Sequence, residues 1–304
     1  MLELDHFSHG WLTPVMAYLV SVIGSGLALR CVTHARSSDW PAGWLATAAV
    51  SLGGAGIWVM HFTAMLGFSI HGATIRYDVP MTLLSAVIAI VVVWVGLSIV
   101  VRGRNEFVAL PIGGAITGLG VAAMHYLGMY AMKTTAHVEY DRNTVVVSIV
   151  IAVVAATAAL WFMLHVRGLF ATIGAALIMG VAVCGMHYVG MTSMHASHAD
   201  HQVDGGGIDP LQLVSPLIVT VTLVIMMLMV VVGLAEIDER STREALPVRR
   251  REALPVRREP RETSATTTGS WPVITDVRPD SPSWALRTSS RTEHRNRHRL
   301  DPDR

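Results

Sequence analysis

Residues 118–129 read GLGVAAMHYLGM, and similar stretches stand at 54–65 (GAGIWVMHFTAM) and at 180–191 (GVAVCGMHYVGM). Each copy begins with glycine, continues after five residues with Met-His-aromatic and ends with methionine. The histidines, His61, His125 and His187, are 64 and 62 residues apart, which fits one pair of membrane helices per copy. Because two helices return the chain to the same side, all three motifs are predicted to lie at one membrane face.

The motifs belong to a chain that is apolar over most of its length. Of its 304 residues, 52% are hydrophobic and only 15% are charged. Its apolar runs are each about 20 residues or longer, enough to cross a hydrocarbon core of roughly 30 Å. Soluble buried helices rarely repeat at this length without charged faces. The sequence predicts an all-α polytopic membrane protein with seven transmembrane helices and an internal helix-pair repeat in three copies. The runs lie at about 11–29, 44–66, 80–101, 107–132, 144–164, 169–194 and 211–235.

Lysine and arginine predict the orientation, because cytoplasmic loops carry an excess of positive charge. The first run is preceded by Glu3 and Asp5 but by no Lys or Arg, which is the wrong polarity for a signal peptide. The amino terminus is therefore expected outside, the carboxyl terminus in the cytoplasm, and the motifs at the outer face. The positive residues expected inside are Arg30, Arg36, Arg102, Arg104 and Arg167, followed by an Arg-rich C-terminal stretch, against Arg76, Lys133 and Arg142 outside.

Composition divides the chain into an outer N-terminal segment (1–10), a membrane domain (11–235) and a basic tail (236–304). The tail is rich in Arg, Pro, Ser and Thr, so it is predicted to be a disordered cytoplasmic segment. Within it, REALPVRR at 243–250 is repeated at 251–258. Cys31 and Cys184 are predicted near opposite ends of the bundle, too far apart for a disulfide. Membrane lipid is the expected surrounding, and no nucleic-acid partner is expected.

Each motif places its chemistry on one helix face. The histidine and the final methionine are i and i+4, and the opening glycine lies seven residues before the histidine on the same stripe. Because small residues let helices approach closely, we expect helix-packing glycines at Gly54, Gly118 and Gly180 to meet, with imidazoles and thioethers converging just above. The candidate metal ligands are Met60, His61, Met65, Met124, His125, Met129, Met186, His187 and Met191.

The ligand set favours copper. No Asp, Glu, Lys or Arg lies well inside the seven runs, which argues against an ion pathway built on intramembrane carboxylates. Imidazole and thioether together suit Cu(I), and imidazole suits Cu(II), whereas bis-histidine haem is the competing cofactor. A single membrane His or Met usually packs helices. Three copies of one constellation favour a shared functional site.

Further residues near the motifs are candidate accessory metal ligands. Cys184 precedes His187 by three residues, and Met132 and Met194 continue the stripe seven residues after a histidine. The spacing His195-x-x-His198-x-Asp200-His201 suits metal capture, as does His6-x-x-His9, although a polar loop with adventitious affinity explains both equally well. The accessory set is Cys184, Met132, Met194, His195, His198 and His201.

The three motifs resemble those of the MHYT family, a seven-helix bacterial membrane sensor domain, over about residues 11–235. In that family the Met, His and aromatic residues are proposed to bind copper near the outer surface and to sense oxygen, carbon monoxide or nitric oxide. The resemblance implies the same role for the nine candidate ligands, in a bacterial inner membrane. The threonine that the family name denotes by its fourth letter is present only in the first motif, as Thr63. Leu127 and Val189 stand at the same position of the other two motifs.

The resemblance also predicts how a signal could leave the membrane domain. Many family members carry diguanylate cyclase, phosphodiesterase or histidine kinase domains, and nothing after residue 235 resembles one. No enzyme activity is therefore expected, and a signal would leave through an unknown cytoplasmic partner or through the basic tail.

Three functions remain open from the sequence. The favoured one is a membrane sensor whose copper centre reads a diatomic gas or the redox state. The first alternative is a copper transporter or outer-face copper-handling protein, which needs ligands along the path through the inner half. The possible ligands in the inner half do not follow the repeat. They are Cys31, His34, Met163, His165 and Met179. The second alternative is a haem- or copper-dependent membrane oxidoreductase, for which no substrate-binding or second redox motif is present.

Overall fold

The part of the chain that the structure describes contains seven helices long and apolar enough to cross a membrane, as the sequence predicts. A computed structural model describes residues 3–198, except 6 and 9, and residues 207–252. The helices are α1 (Leu12–Ala35), α2 (Pro41–Met65), α3 (Val79–Arg102), α4 (Glu106–Tyr130), α5 (Arg142–His165), α6 (Leu169–Thr192) and α7 (Pro210–Glu252).

The last helix extends beyond the boundary expected at residue 235. Its membrane-crossing part ends at Ile237, but the helix continues to Glu252. The added residues are rich in Arg and Glu, which have high helix propensity. The chain divides into two units, Met1–Arg251 and Glu252–Arg304. Residues 253–304 lie outside the described part, so the disorder of that stretch stays a prediction.

Short antiparallel strand pairs join the segments that flank the motif helices. Strands β2, β4 and β6 each follow a motif helix, whereas β1, β3 and β5 precede helices α1, α3 and α5. The end of the bundle that carries all of them is called the strand face. The pairs are β1 (Leu4–Asp5) with β2 (Ser69–Ile70), β3 (Ile75–Tyr77) with β4 (Met132–Thr134), and β5 (Ala136–Tyr140) with β6 (Met194–His198).

Aspartates begin the helices that lead away from the strand face after each motif. The Asp78 carboxylate accepts a hydrogen bond from the Met81 backbone N–H at the start of α3, at 3.1 Å. Asp141 accepts one from Thr144 at the start of α5, at 2.9 Å, and Asp209 accepts one from Leu211 at the start of α7, at 2.9 Å. Each carboxylate satisfies a helix N–H that has no partner within the helix. The repeat therefore includes its helix caps.

Six of the helices form a closed ring in which α1 lies between α6 and α2. Going round from α2, the neighbours are α3, α4, α5 and α6. By the repeat, α7 would stand beside α6 as α3 stands beside α2 and α5 beside α4. Instead α1 takes that place, and α7 lies outside it, tied to α1 by an ion pair of 3.0 Å between Arg30 and Glu236.

Helix α2 approaches both of its neighbours in the ring, α1 and α3, closely along their backbones. Its middle part, Val50–Val59, is π-helical, a conformation that proteins use rarely and often near functional sites. A Cβ atom added to Gly24 of α1 would lie 2.5 Å from the Gly56 nitrogen, and one added to Gly53 would lie 2.6 Å from the Ala89 oxygen of α3. Glycine therefore lets α2 pack backbone to backbone against both neighbours.

Candidate metal centre

One histidine from each motif helix meets at a single buried point near the strand face. His61 comes from α2, His125 from α4 and His187 from α6, and each is only 1% exposed. The Nδ1 atom of His61 lies 2.9 Å from that of His187 and 3.2 Å from that of His125. The ring planes are nearly perpendicular to one another, at 77° to 89°. The predicted convergence of the three histidines is confirmed.

Glycines of neighbouring motifs make room for two of these rings. A Cβ atom added to Gly128 would lie 2.5 Å from Nε2 of His61, and one added to Gly190 would overlap His125. Both glycines stand three residues after the histidine of their own copy, so the ring of one copy packs over the glycine of the next. Sequence reasoning overlooked them, although a glycine at this position in two copies, with Ala64 in the third, was a visible signal.

The spacing of the three Nδ1 atoms fits a small metal ion. Nitrogens bound to one ion at about 2 Å lie roughly 3.3–3.5 Å from one another, within a few tenths of an ångström of the observed distances. Without an ion, each close contact between two Nδ1 atoms needs a proton on one of them. In the described part of the chain, these three form the only group of three or more His, Cys, Asp or Glu residues with ligand atoms all within 4.8 Å of one another.

The opposite ring nitrogens of two of the histidines point to a functional role for the cluster. The Nε2 atoms of His61 and His125 are buried, with no hydrogen-bond partner among the described residues. Burying an unpaired polar atom costs about 1–3 kcal/mol, so native proteins rarely keep one without a functional reason. If Nδ1 atoms bind an ion, the Nε2 atoms carry the protons and pack against glycine.

The six motif methionines are all buried, but they fall into two groups. Those four residues after a histidine share its helix face, whereas those directly before it are rotated by about 100°. Met186 lines a cavity on the far side of the histidines from the strand face, and Met60 packs with Ala17 and Ala64. The thioethers of Met65, Met129 and Met191 are therefore the better placed, and their role as ligands stays a prediction.

The sequence predicted that Met132 and Met194 continue the helical stripe of their motifs, but they do not. Helices α4 and α6 end at Tyr130 and Thr192, and the two methionines begin strands β4 and β6. Both side chains are buried. The prediction was wrong because it extended the helical period past the helix ends.

The opening glycines pack helices but do not meet one another. The nearest side chain to a Cβ on Gly54 is Ile90 of α3, and Cβ atoms on Gly118 and Gly180 would meet Val153 of α5 and Val22 of α1. The expectation of glycine-to-glycine contact was wrong. At this level the motif helices surround a cavity, so their glycines face the flanking helices.

The accessory candidates do not join the histidine cluster. Cys184 is half-buried near Met60 and Tyr188, outside the group of three ligands. His195 is exposed on β6 opposite Glu139, and His198 pairs with Ala136 in the same strand pair. His201, together with His6 and His9, lies outside the described residues.

Comparison with known proteins agrees with the repeat. The family model described as MHYT, "Bacterial signalling protein N terminal repeat", matches residues 54–113 and 118–176. The chain carries two repeats of the MHYT family. Both matched segments begin at the opening glycine of a motif, and the copy at 180–191 supplies the third histidine of the same cluster.

The relatives are signalling proteins of greater length. The chain is 38% identical over 184 residues to the bifunctional diguanylate cyclase/cyclic di-GMP phosphodiesterase MucR of Pseudomonas aeruginosa, covering 59% of this chain and 26% of MucR. It is 34% identical over 186 residues to the cyclic di-GMP phosphodiesterase NbdA of the same organism, covering 59% and 24%. The signaling protein YkoW of Bacillus subtilis is 32% identical over 156 residues, covering 49% and 19%. The matched region is therefore about a quarter of MucR or NbdA, and no solved structure matches the chain.

Proposed function

We propose that this protein is a bacterial membrane sensor in which His61, His125 and His187 hold one copper ion and respond to a diatomic gas or to redox state. The observation that carries the proposal is the meeting of the three histidines at a buried point, where Nδ1 of His61 lies 2.9 and 3.2 Å from Nδ1 of His187 and His125. Copper held there would supply a redox-active centre with room for a further ligand. The relatives' signalling roles support a sensor rather than an enzyme in this part of the chain.

The geometry favours a single ion over haem. Two axial nitrogens of a haem lie on opposite faces of the porphyrin, about 4 Å apart with the ring between them. The Nδ1 atoms here face one another at a shorter distance, and their rings are nearly perpendicular. This spacing leaves no room for a porphyrin plane.

The interior below the histidines argues against copper transport. A transporter needs successive ligands along its path, but the cavity that adjoins the histidines on that side is lined almost entirely by apolar side chains. Its two thioethers, Met179 and Met186, come from the same helix, so the other motif helices contribute no ligand there. A centre that holds copper at one face fits this arrangement better.

The chain's own residues would connect the ion to the rest of the bundle. Each histidine is rigidly placed on a different helix, and the glycines at 128 and 190 fix how two of the rings lie. A change in the ion's preferred geometry would therefore act on α2, α4 and α6 together. The orientation follows from the positive-inside rule: the strand face is outside, and α7 leads to a cytoplasmic partner.

Copper analysis of a histidine variant tests the proposal. His125→Ala should remove most bound copper, measured per chain under reducing and oxidising conditions in mild detergent, while the helices stay inserted. His165→Ala is the matched control, because that histidine lies at the far end of α5 and contacts Trp161 and Glu106. Equal copper content in the parent and in His125→Ala would refute the copper site.

A further inference from the structure

A cavity of about 40 Å³ lies directly beneath the histidine cluster, between α2, α3, α4, α5 and α6. Ile57, Val121 and Val183 line it, and each stands four residues before a motif histidine. Four residues are about one helical turn, so the same position of all three copies faces the same space. This cavity, called the chamber, therefore lies on the axis that relates the three motifs.

The chamber is suited to an apolar occupant and not to water. A water molecule needs roughly 10–15 Å³ and two to four polar partners, and apolar cavities with the room but without the partners stay dry. The hydroxyl among the lining residues, that of Thr117, donates to the Val92 carbonyl oxygen at 3.4 Å. The remaining lining is aliphatic side chains and the thioethers of Met179 and Met186.

On the α5 side the chamber lies close to the outer surface of the bundle. Four alanines of this helix line the chamber, and two of them, Ala155 and Ala159, are partly exposed on the bundle surface. On α6, the lining residues Ala182 and Val183 are also partly exposed. The chamber is therefore separated from the hydrocarbon phase by small side chains that themselves reach the bundle surface. Small apolar molecules concentrate in that phase because water excludes them.

We propose that the chamber binds one small apolar molecule, of the size of a diatomic gas or a xenon atom, drawn from the lipid and held one helical turn below the histidines. The binding itself follows from the size and dryness of the chamber and from its closeness to the bundle surface. Its use in signalling rests on the proposed function, since a gas held there would lie beside the centre that responds to it. No metal is needed for the occupant to bind.

Xenon binding to the metal-free full-length protein tests the proposal. The chain is labelled with ¹³C-methyl methionine, treated with chelator and placed in lipid nanodiscs. Met179 and Met186 line the chamber, so their methyl signals should shift and then saturate as xenon pressure rises. Met16 is 46% exposed on the lipid-facing side of α1 and should report only a gradual, non-saturating solvent effect.

Two matched variants locate the effect. Ala156→Leu fills the chamber and should abolish the saturable shifts, whereas Ala158→Leu, two residues away and exposed, should keep them. Val121→Ala enlarges the chamber and should strengthen the response, which keeps the test decisive if Ala156→Leu does not fold. Saturable shifts that survive in Ala156→Leu, or their absence in the parent protein, would overturn the proposal. Copper stoichiometry is measured separately, so failure of the copper site and failure of the chamber are distinguishable.

Discussion

At the scale of single residues, Gly128 and Gly190 matter as much as the histidines they face. Each removes the one carbon atom that would prevent a neighbouring imidazole from reaching the common centre. The third equivalent position is Ala64, which packs with Met60 and Ala17 of α1. The repeat thus supplies one histidine from each copy, but the surroundings of the three histidines differ.

A glycine-to-alanine pair measures this effect. Gly190→Ala places a methyl group against His125, and overpacking of this kind typically costs about 1–3 kcal/mol. We expect a lower melting temperature in detergent and less bound copper per chain. The control is Gly185→Ala on the same helix, where no atom lies within 4 Å of the added carbon. There alanine should be neutral or stabilising, by up to about 1 kcal/mol. Identical behaviour of the two variants would contradict the proposed packing.

The residues of the site show what sequence reasoning can and cannot reach. The convergence of His61, His125 and His187 followed from the even number of helices between copies. That number can be counted along the sequence without knowing how the helices pack. The packing of His61 over Gly128 depends on how α2 and α4 cross, and no pattern within either helix encodes that angle. Gly54, Gly118 and Gly180 were misassigned for the same reason.

At the scale of helices and strands, the repeat is completed by its caps. Asp141 begins α5 at the point where Asp78 begins α3, and its carboxylate accepts hydrogen bonds from both the backbone N–H and the hydroxyl of Thr144. These bonds lower the pKa of the Asp141 carboxyl below its ordinary value. The lowered pKa links the stability of this helix start to pH.

The pH dependence of the cap has a definite sign. Because the folded protein lowers the pKa, ionised Asp141 contributes stability above the ordinary carboxyl pKa, and that contribution is lost as the pH falls through the folded value. We expect Asp141→Ala to melt at a lower temperature than the parent at neutral pH, with the gap narrowing in acid. Asp141→Asn keeps an acceptor oxygen and should lose less at neutral pH. A gap between parent and Asp141→Ala that is constant with pH would exclude the carboxylate as its source.

The helices also show where local patterns fail. Their number and approximate bounds followed from apolar runs of sufficient length. The π-helical part of α2 did not, because its close packing against Gly24 and Ala89 is a tertiary effect. The strands β4 and β6 were read as helix because Met132 and Met194 continue the helical period by coincidence.

At the scale of the whole bundle, helix α1 closes the six-helix ring, although it lies outside the three repeated helix pairs. Three helix pairs would place α7 beside α2, yet α1 fills that position. Half of the membrane window of α1 is buried, against 6% of that of α7. The helix that is free of the ring is therefore the one that leads onward along the chain, which suits it to pass on a change at the histidines.

Truncation tests whether the ring is complete without α7. A chain that ends after Asp209 keeps the two backbone hydrogen bonds between Tyr77 and Ile208 but loses α7 and the ion pair with Arg30. We expect it to insert and to bind the same amount of copper, because the six-helix ring is complete without α7. It should melt at a lower temperature than the parent, because it loses the ion pair and the burial of Leu213 and Val232. The contrasting variant is Gly24→Leu in the full-length chain. Its side chain would collide with the backbone of α2 at Gly56, so it should lower both the melting temperature and the copper content. If truncation removes copper while Gly24→Leu retains it, α7 belongs to the functional bundle and the six-helix ring is not its core.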